Sequence, residues 1–182
     1  IQEKVGVECL IDSLYGIILT TNTFPYLAQS IFWQTGIRLL AKAKEHIMTN
    51  NQVAIVLSHY IKTLIENKVN DPDVFQTLKS LGEVDHWIVP IILAKALVFY
   101  YIVTHDKIKL TNVVKKIENY VSSYPSKGLI LIAEVGPKLL EACETFGDPE
   151  GVEYWYNKTK ISIDELIKWG DANPDLREYL EV

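Results

Sequence analysis

The sequence predicts an all-α protein of about eight antiparallel helices, arranged as a short solenoid or an irregular bundle. Three observations lead there. Apolar residues recur every three to four positions along most of the chain, the period of a helix with one buried face. Clusters of turn-forming residues break that period at short, regular intervals. No Gly/Ser-rich stretch or charge run divides the 182 residues, so a single helical domain over 1–182 is expected. That length suffices to bury about 70% of the unfolded surface.

The elements follow in order. The first segment carries "LYGIILTT", β-branched enough that a short strand competes with a helix, and it ends at a break around 21–25. In "FPYLAQSIFWQTGIRLLAKAKEHI", Leu27, Ile31, Trp33–Gln34, Ile37, Leu40, Ala41 and Ile47 form the expected inner face, with Lys42, Lys44 and Glu45 opposite. After a break at 49–52, "NQVAIVLSHYIKTLIENKV" repeats the pattern through Val53, Val56, Leu57, Tyr60, Ile61, Leu64 and Ile65. Breaks at 70–73 and 80–85 frame a short helix, and breaks at 104–107 and 122–128 frame a longer one. "KGLILIAEV" is again ambiguous between helix and strand. The last helix, after a break at 146–151, runs through Val152, Trp155, Tyr156, Ile163, Leu166, Ile167 and Trp169 to a break at 170–175. Asp71, Asp148 and Asn173 each precede a proline, a combined cap and first-turn signal.

Residues Trp87–Val103 are apolar except for Lys95. Seventeen residues reach the lower edge of a membrane span. A central lysine costs about 3 kcal/mol on insertion, Pro90 lies one turn in, and no basic asymmetry flanks the run. The reading is therefore a core helix, apolar on every side and enclosed by its neighbours. Lys95 has Ile91, Ile92, Val98 and Phe99 three and four positions away, so no carboxylate of its own helix meets it. Either its stem lies along apolar surface with the ammonium in water, or it pairs with the lone charge of another apolar run, Glu134. The second arrangement makes Lys95 and Glu134 the candidate ligand-binding residues of a small-molecule-binding or enzymatic bundle.

Composition and motif tests exclude more than they select. A net charge of -5 with scattered lysines disfavours nucleic acid as a partner. A helical subunit of a nucleoprotein complex would need Lys107, Lys109, Lys115 and Lys116 to form one stripe. Cys9 and Cys143 make no CxxC, so no disulfide framework is expected, and a reducing, cytoplasmic setting fits. The chain opens on Ile1 without Met, which points to residues preceding it. No phosphate loop, nucleophile elbow or HExxH occurs, and Glu83-x-x-His86 has no second copy to complete a two-metal bundle site. Arg38 and His46 are too far apart for the Arg-His motif of helical nucleases. No catalytic residue, metal or cofactor is expected. Aromatic clusters at Phe99–Tyr101 and Tyr154–Tyr156 remain; the second, with Tyr154, Trp155 and Tyr156, is the candidate partner-binding surface.

The segment "ACETFGDPEGVEYWYNKTKISIDEL" resembles a tetratricopeptide repeat around its turn. From Gly147, Val152, Tyr156 and Thr159 occupy the small, aromatic and small positions of the second helix, and Leu139 holds the leucine position of the first. Leu140 and Cys143 depart from the pattern, and Pro137 is expected to interrupt that first helix. A looser echo follows His105–Asp106 at Leu110, Val114 and Ile117. The resemblance implies stacked helical hairpins that present a groove to another protein or peptide. The leading expectation is accordingly a protein-protein interaction or scaffolding module, to which no peptide-clamp residue can be carried over.

Overall fold

The computed structural model describes residues 2–172, with side chains from Gly6 onward. Eight helices are present among the described residues and no strand. They are α1 (Gln2–Thr23), α2 (from Pro25 to Lys44), α3 (Asn51–Glu66), α4 (Pro72–Leu81), α5 (Ile88–Val103), α6 (Lys107–Ser123), α7 (Pro125–Thr145) and α8 (Pro149–Ala172). Both β-branched stretches are helical, "LYGIILTT" in α1 and "KGLILIAEV" in α7. Tertiary burial of a helix face overrides the weak β preference of such runs. Pro137 lies inside α7 without ending it, a correction to the interruption expected there. Asn173, expected to cap a further turn, lies outside the described residues.

Helix ends follow side-chain chemistry. The carboxamide of Asn50 accepts from the backbone N–H of Gln52 and Val53, the Asp71 carboxylate from Asp73, and the Asp106 carboxylate from Lys109. Each satisfies donors that the first helical turn leaves unpaired. Asp106 also meets the Lys109 ammonium at 3.2 Å. The backbone N–H of Lys109 and then its ammonium hold the Asp106 carboxyl below the usual range. Three C-termini close with a left-handed residue and a bond reaching back five positions: Val69 N–H to Leu64, Asp106 N–H to Tyr101, and Asp148 N–H to Cys143. The left-handed residues are Lys68 (φ 58°), His105 (φ 53°) and Gly147 (φ 64°). Only the last is a glycine, so two of these turns carry side-chain strain.

Two compact units divide between Ala96 and Leu97, within α5. In the first, α3 is the centre, packed by α1, α2 and α4. Val53, Ala54, Val56, Leu57, Tyr60, Ile61 and Leu64 are among its buried side chains. The sequence gives α2 an inner face that the structure corrects. Its buried residues are Ala28, Phe32, Gly36, Leu40 and Ala43, with Ile47 buried just beyond its end, whereas Trp33 and Ala41 are exposed. The seam from Ala28 to Leu40 steps by four, wider than the 3.6 residues of an α-helical turn. A π-helical turn at Phe32–Gly36, set between α-helical stretches Ala28–Ile31 and Ile37–Lys44, absorbs the excess. Gly36 on that turn faces the hydroxyl of Tyr60, and any side chain there would collide with it. The Tyr60 hydroxyl is buried without a hydrogen-bond partner, and burial pushes its pKa up.

In α5, Ile91, Ile92, Leu93 and Ala94 are all buried. Four consecutive residues at 100° per residue sample every side of a helix, so this turn is buried all round, whereas Val103 at the end of the helix is exposed. No helix among the described residues is long and apolar enough to cross a membrane.

In the second unit α7 packs against α6 on one side and α8 on the other. Glycines set both approaches. A Cβ on Gly128 would sit 2.9 Å from the Val121 Cα of α6, and one on Gly136 would collide with the Thr159 side chain of α8. Thr159 also buries its hydroxyl without a partner.

Two outcomes follow for stability. Lys68→Gly, which relieves the left-handed strain at an exposed position, is expected to raise unfolding free energy by about 1 kcal/mol in urea titration. Gly136→Ala is expected to cost about 1–3 kcal/mol by overpacking. Combined with Thr159→Ala, most of that cost disappears in a double-mutant cycle if the two side chains compete for one space.

Candidate interaction surface on the last helix

The close crossing at Gly136 decides which side of α8 faces inward. Little room remains between the two backbones, and the residues of α8 buried there are Trp155, Thr159, Ser162 and Gly170. Three of these four are small. The larger apolar residues of α8 stand outside the seam: Tyr156 is 56% exposed, Ile163 41% and Ile167 56%. Helical periodicity places all three, and Trp169, with Trp155 on one inner face; the structure corrects that grouping, since Trp169 is 50% exposed as well. At spacings of seven and four, Tyr156, Ile163 and Ile167 fall on a single strip beside the seam.

The three consecutive aromatics separate into three roles. Trp155 is buried in the core of the unit. Tyr154 is half in solvent but held: its hydroxyl donates to Glu118 Oε1 of α6 at 3.1 Å, and its ring packs edge-on against Trp155 at 5.0 Å. The Lys158 ammonium lies 4.8 Å from the Tyr154 ring centre and 5.7 Å from that of Trp155. These distances suit a cation–π contact. Tyr156 makes none of these contacts and belongs to the exposed strip.

Charged residues border the strip on its solvent side. Glu153, Lys160, Asp164 and Asp171 are all exposed there, three acids against one base. Farther round, Lys168 is engaged by Glu165 at 2.8 Å. The strip is therefore an apolar seam with an acidic rim. Ile163 and Ile167 are the members that sequence reasoning missed as surface residues. The signal for them was the small series Thr159, Ser162 and Gly170, which shares the inner face with Trp155 at helical spacing.

The other sequence-derived candidates lie elsewhere. Lys95 is half-buried on α5 in the first unit, and Glu134 is exposed on α7 in the second. On α6, Lys109 is bound to Asp106 and lies 6.0 Å from the Tyr101 ring centre. Among the described residues no group of three or more His, Cys, Asp or Glu is placed to hold a metal ion. On the first unit, Tyr15 and Leu19 are exposed one turn apart on α1, and among the described residues of that helix no third exposed large apolar side chain joins them.

No protein-family model matches the chain, and neither curated proteins nor solved structures give a match.

The division of the aromatics has a direct check. Trp155→Ala is expected to cost about 3–5 kcal/mol of stability, as for other buried aromatics. Tyr154→Phe removes one exposed hydrogen bond and is expected to change stability by less than about 1 kcal/mol. Chemical unfolding of the two variants measures both.

Proposed function

We propose that this protein is an interaction module whose contact surface is α8, and that the surface receives an amphipathic helix of basic character from another protein. The observation that carries the reading is the exposed strip Tyr156, Ile163 and Ile167. Each of these side chains pays for hydration that a facing apolar surface relieves, at about 25 cal/mol for each Å² buried. A helix offers that surface most simply. Anchors at i, i+3 or i+4 and i+7 on an incoming helix pack against a row of the same spacing.

The rim selects the charge of the partner. Glu153, Asp164 and Asp171 outnumber Lys160 beside the strip, and the chain as a whole carries -5. Lysines or arginines flanking the apolar face of the incoming helix meet that rim favourably, while acidic flanks are repelled. The resemblance of 142–166 to a tetratricopeptide hairpin supports the same reading. A hairpin of that kind buries one face on its neighbour and offers another to the next helical element.

The test is a panel of labelled amphipathic helical peptides with matched apolar faces and basic, neutral or acidic flanks, titrated against the chain by fluorescence anisotropy. Basic peptides are expected to bind most tightly and to weaken as salt rises. Ile163→Asp is expected to lower their affinity about tenfold or more with no change in melting temperature. Indifference to flank charge, or to Ile163→Asp, overturns the proposal. So does sedimentation showing that two copies of the chain pair through the strip.

A further inference from the structure

A second surface belongs to the first unit. There α1 and α2 form an antiparallel hairpin: Gly6, Cys9 and Ser13 of α1 line the same cleft as Lys42 of α2 and His46 just beyond its end. The hairpin turns at Phe24 and Pro25. From Ser13 to Ile37 it holds no Asp, Glu, Lys, Arg or His. With 23% of the chain charged, about six such residues are expected in a stretch of that length. The nearest charges, Asp12 on α1 and Arg38 on α2, each stand thirteen positions from Pro25. On helices that rise 1.5 Å per residue, both boundaries fall at a similar level, about 20 Å from the turn.

This uncharged end faces solvent. Leu19 and Tyr26 are 70% and 79% exposed, and Tyr15, Phe24 and Trp33 are exposed as well. The Phe24 and Tyr26 rings meet edge-on at 6.2 Å. The polar side chains among them are neutral, and several spend their donors within their own helix. Thr20 donates to the Gly16 carbonyl at 2.7 Å, Thr23 to that of Leu19 at 2.8 Å, and the Gln34 carboxamide to the Ser30 hydroxyl at 3.3 Å. Hydrogen bonds already made inside a helix lower the cost of leaving water. On α3, which packs against the hairpin, Lys62 and Glu66 pair with each other at 3.1 Å.

We infer that this end of the hairpin is a peripheral membrane contact, set shallowly in the surface of a zwitterionic lipid bilayer. Tyr and Trp concentrate where bilayer meets water, because each joins an apolar ring to a polar tip. Leu19, Phe24 and Tyr26 enter at the turn, and Tyr15 and Trp33, ten and eight positions from Pro25, stand at the rim of the contact. Such an element lies in one leaflet, with its apolar side about 5–10 Å deep, and no helix crosses. Charge sets the class of lipid. Anionic headgroups are held by Lys or Arg close to the surface. The hairpin brings none nearer the turn than Arg38, in a chain of net charge -5. A protein partner of the kind proposed for α8 is selected by a charged rim, and between Asp12 and Arg38 the hairpin supplies no such rim.

The experiment floats the full chain with phosphatidylcholine vesicles, with and without phosphatidylserine, at low and high salt. Binding to phosphatidylcholine is expected, insensitive to salt and weakened by phosphatidylserine at low salt. Leu19→Asp with Tyr26→Asp is expected to lower partitioning about tenfold or more, with no change in melting temperature because both side chains are in solvent. Trp33 gives a second readout: vesicles are expected to shift the tryptophan emission to the blue, and Trp33→Phe removes the shift. Ile163→Asp, which tests α8, is expected to leave vesicle binding unchanged, so the two surfaces fail separately. No binding to phosphatidylcholine, binding to phosphatidylserine vesicles alone, or binding that survives the double substitution overturns the inference. Sedimentation showing that two copies pair through this end without lipid does so as well.

Discussion

The approach of α7 to α8 at Gly136 constrains everything that the second unit presents to solvent. Without a Cβ on Gly136 the Thr159 side chain enters the space beside the α7 backbone. At that separation the inner face of α8 has room for Thr159, Ser162 and Gly170, with Trp155 as its one large member near the hairpin turn. Helix contacts made by small residues gain dispersion energy from closely set backbones rather than from large interdigitating side chains. The cost is a buried Thr159 hydroxyl with no partner. The same exchange recurs in the first unit, where Gly36 admits the unpartnered hydroxyl of Tyr60. In each unit a glycine opens a notch in one helix and a hydroxyl-bearing side chain of the next helix occupies it.

The π-helical turn of α2 solves a related problem along the helix rather than across it. Ala28, Phe32, Gly36 and Leu40 are spaced at four and would wind off the face of a regular helix by about 40° at each step. The wider turn at Phe32–Gly36 keeps them in line and brings Gly36 under Tyr60. Trp33 is turned out to solvent in the process. The seam of this unit thus depends on one non-α-helical turn, and the turn depends on a residue without a side chain.

These two devices mark where the sequence stops being legible. Helix class, number and most boundaries follow from local chemistry: Asn50, Asp71 and Asp106 cap, Pro72 and Pro149 start helices, and Gly147 stops one. Burial of the turn at 91–94 of α5 follows from a run with no polar face. The inward faces of α2 and α8 do not follow, because hydrophobic periodicity assumes that the largest apolar residues lead inward. At a glycine-set crossing the smallest do. Tyr156 was legible as a surface aromatic, whereas Ile163 and Ile167 read as core until the position of Gly136 beside Thr159 is known. That juxtaposition joins residues on separate helices, and its one local trace is the small series Thr159, Ser162 and Gly170. Lys68 and His105 were equally silent, since neither residue type announces a left-handed turn as glycine does.

The connections between helices differ between the units. In the second they are three residues after α5, one after α6 and three after α7, while in the first Phe24 alone follows α1 and the links after α2, α3 and α4 have six, five and six. Five-back bonds and caps occur in both units, at Val69 and Asp71 in the first and at Asp106 and Asp148 in the second, but in the second they sit in joints of three residues that tie the end of one helix to the start of the next. Such joints leave no slack for extra chain. Foreign sequence, whether a tag or a reporter, is therefore accommodated at 45–50 or 82–87 of the first unit more readily than at the shorter joints of the second.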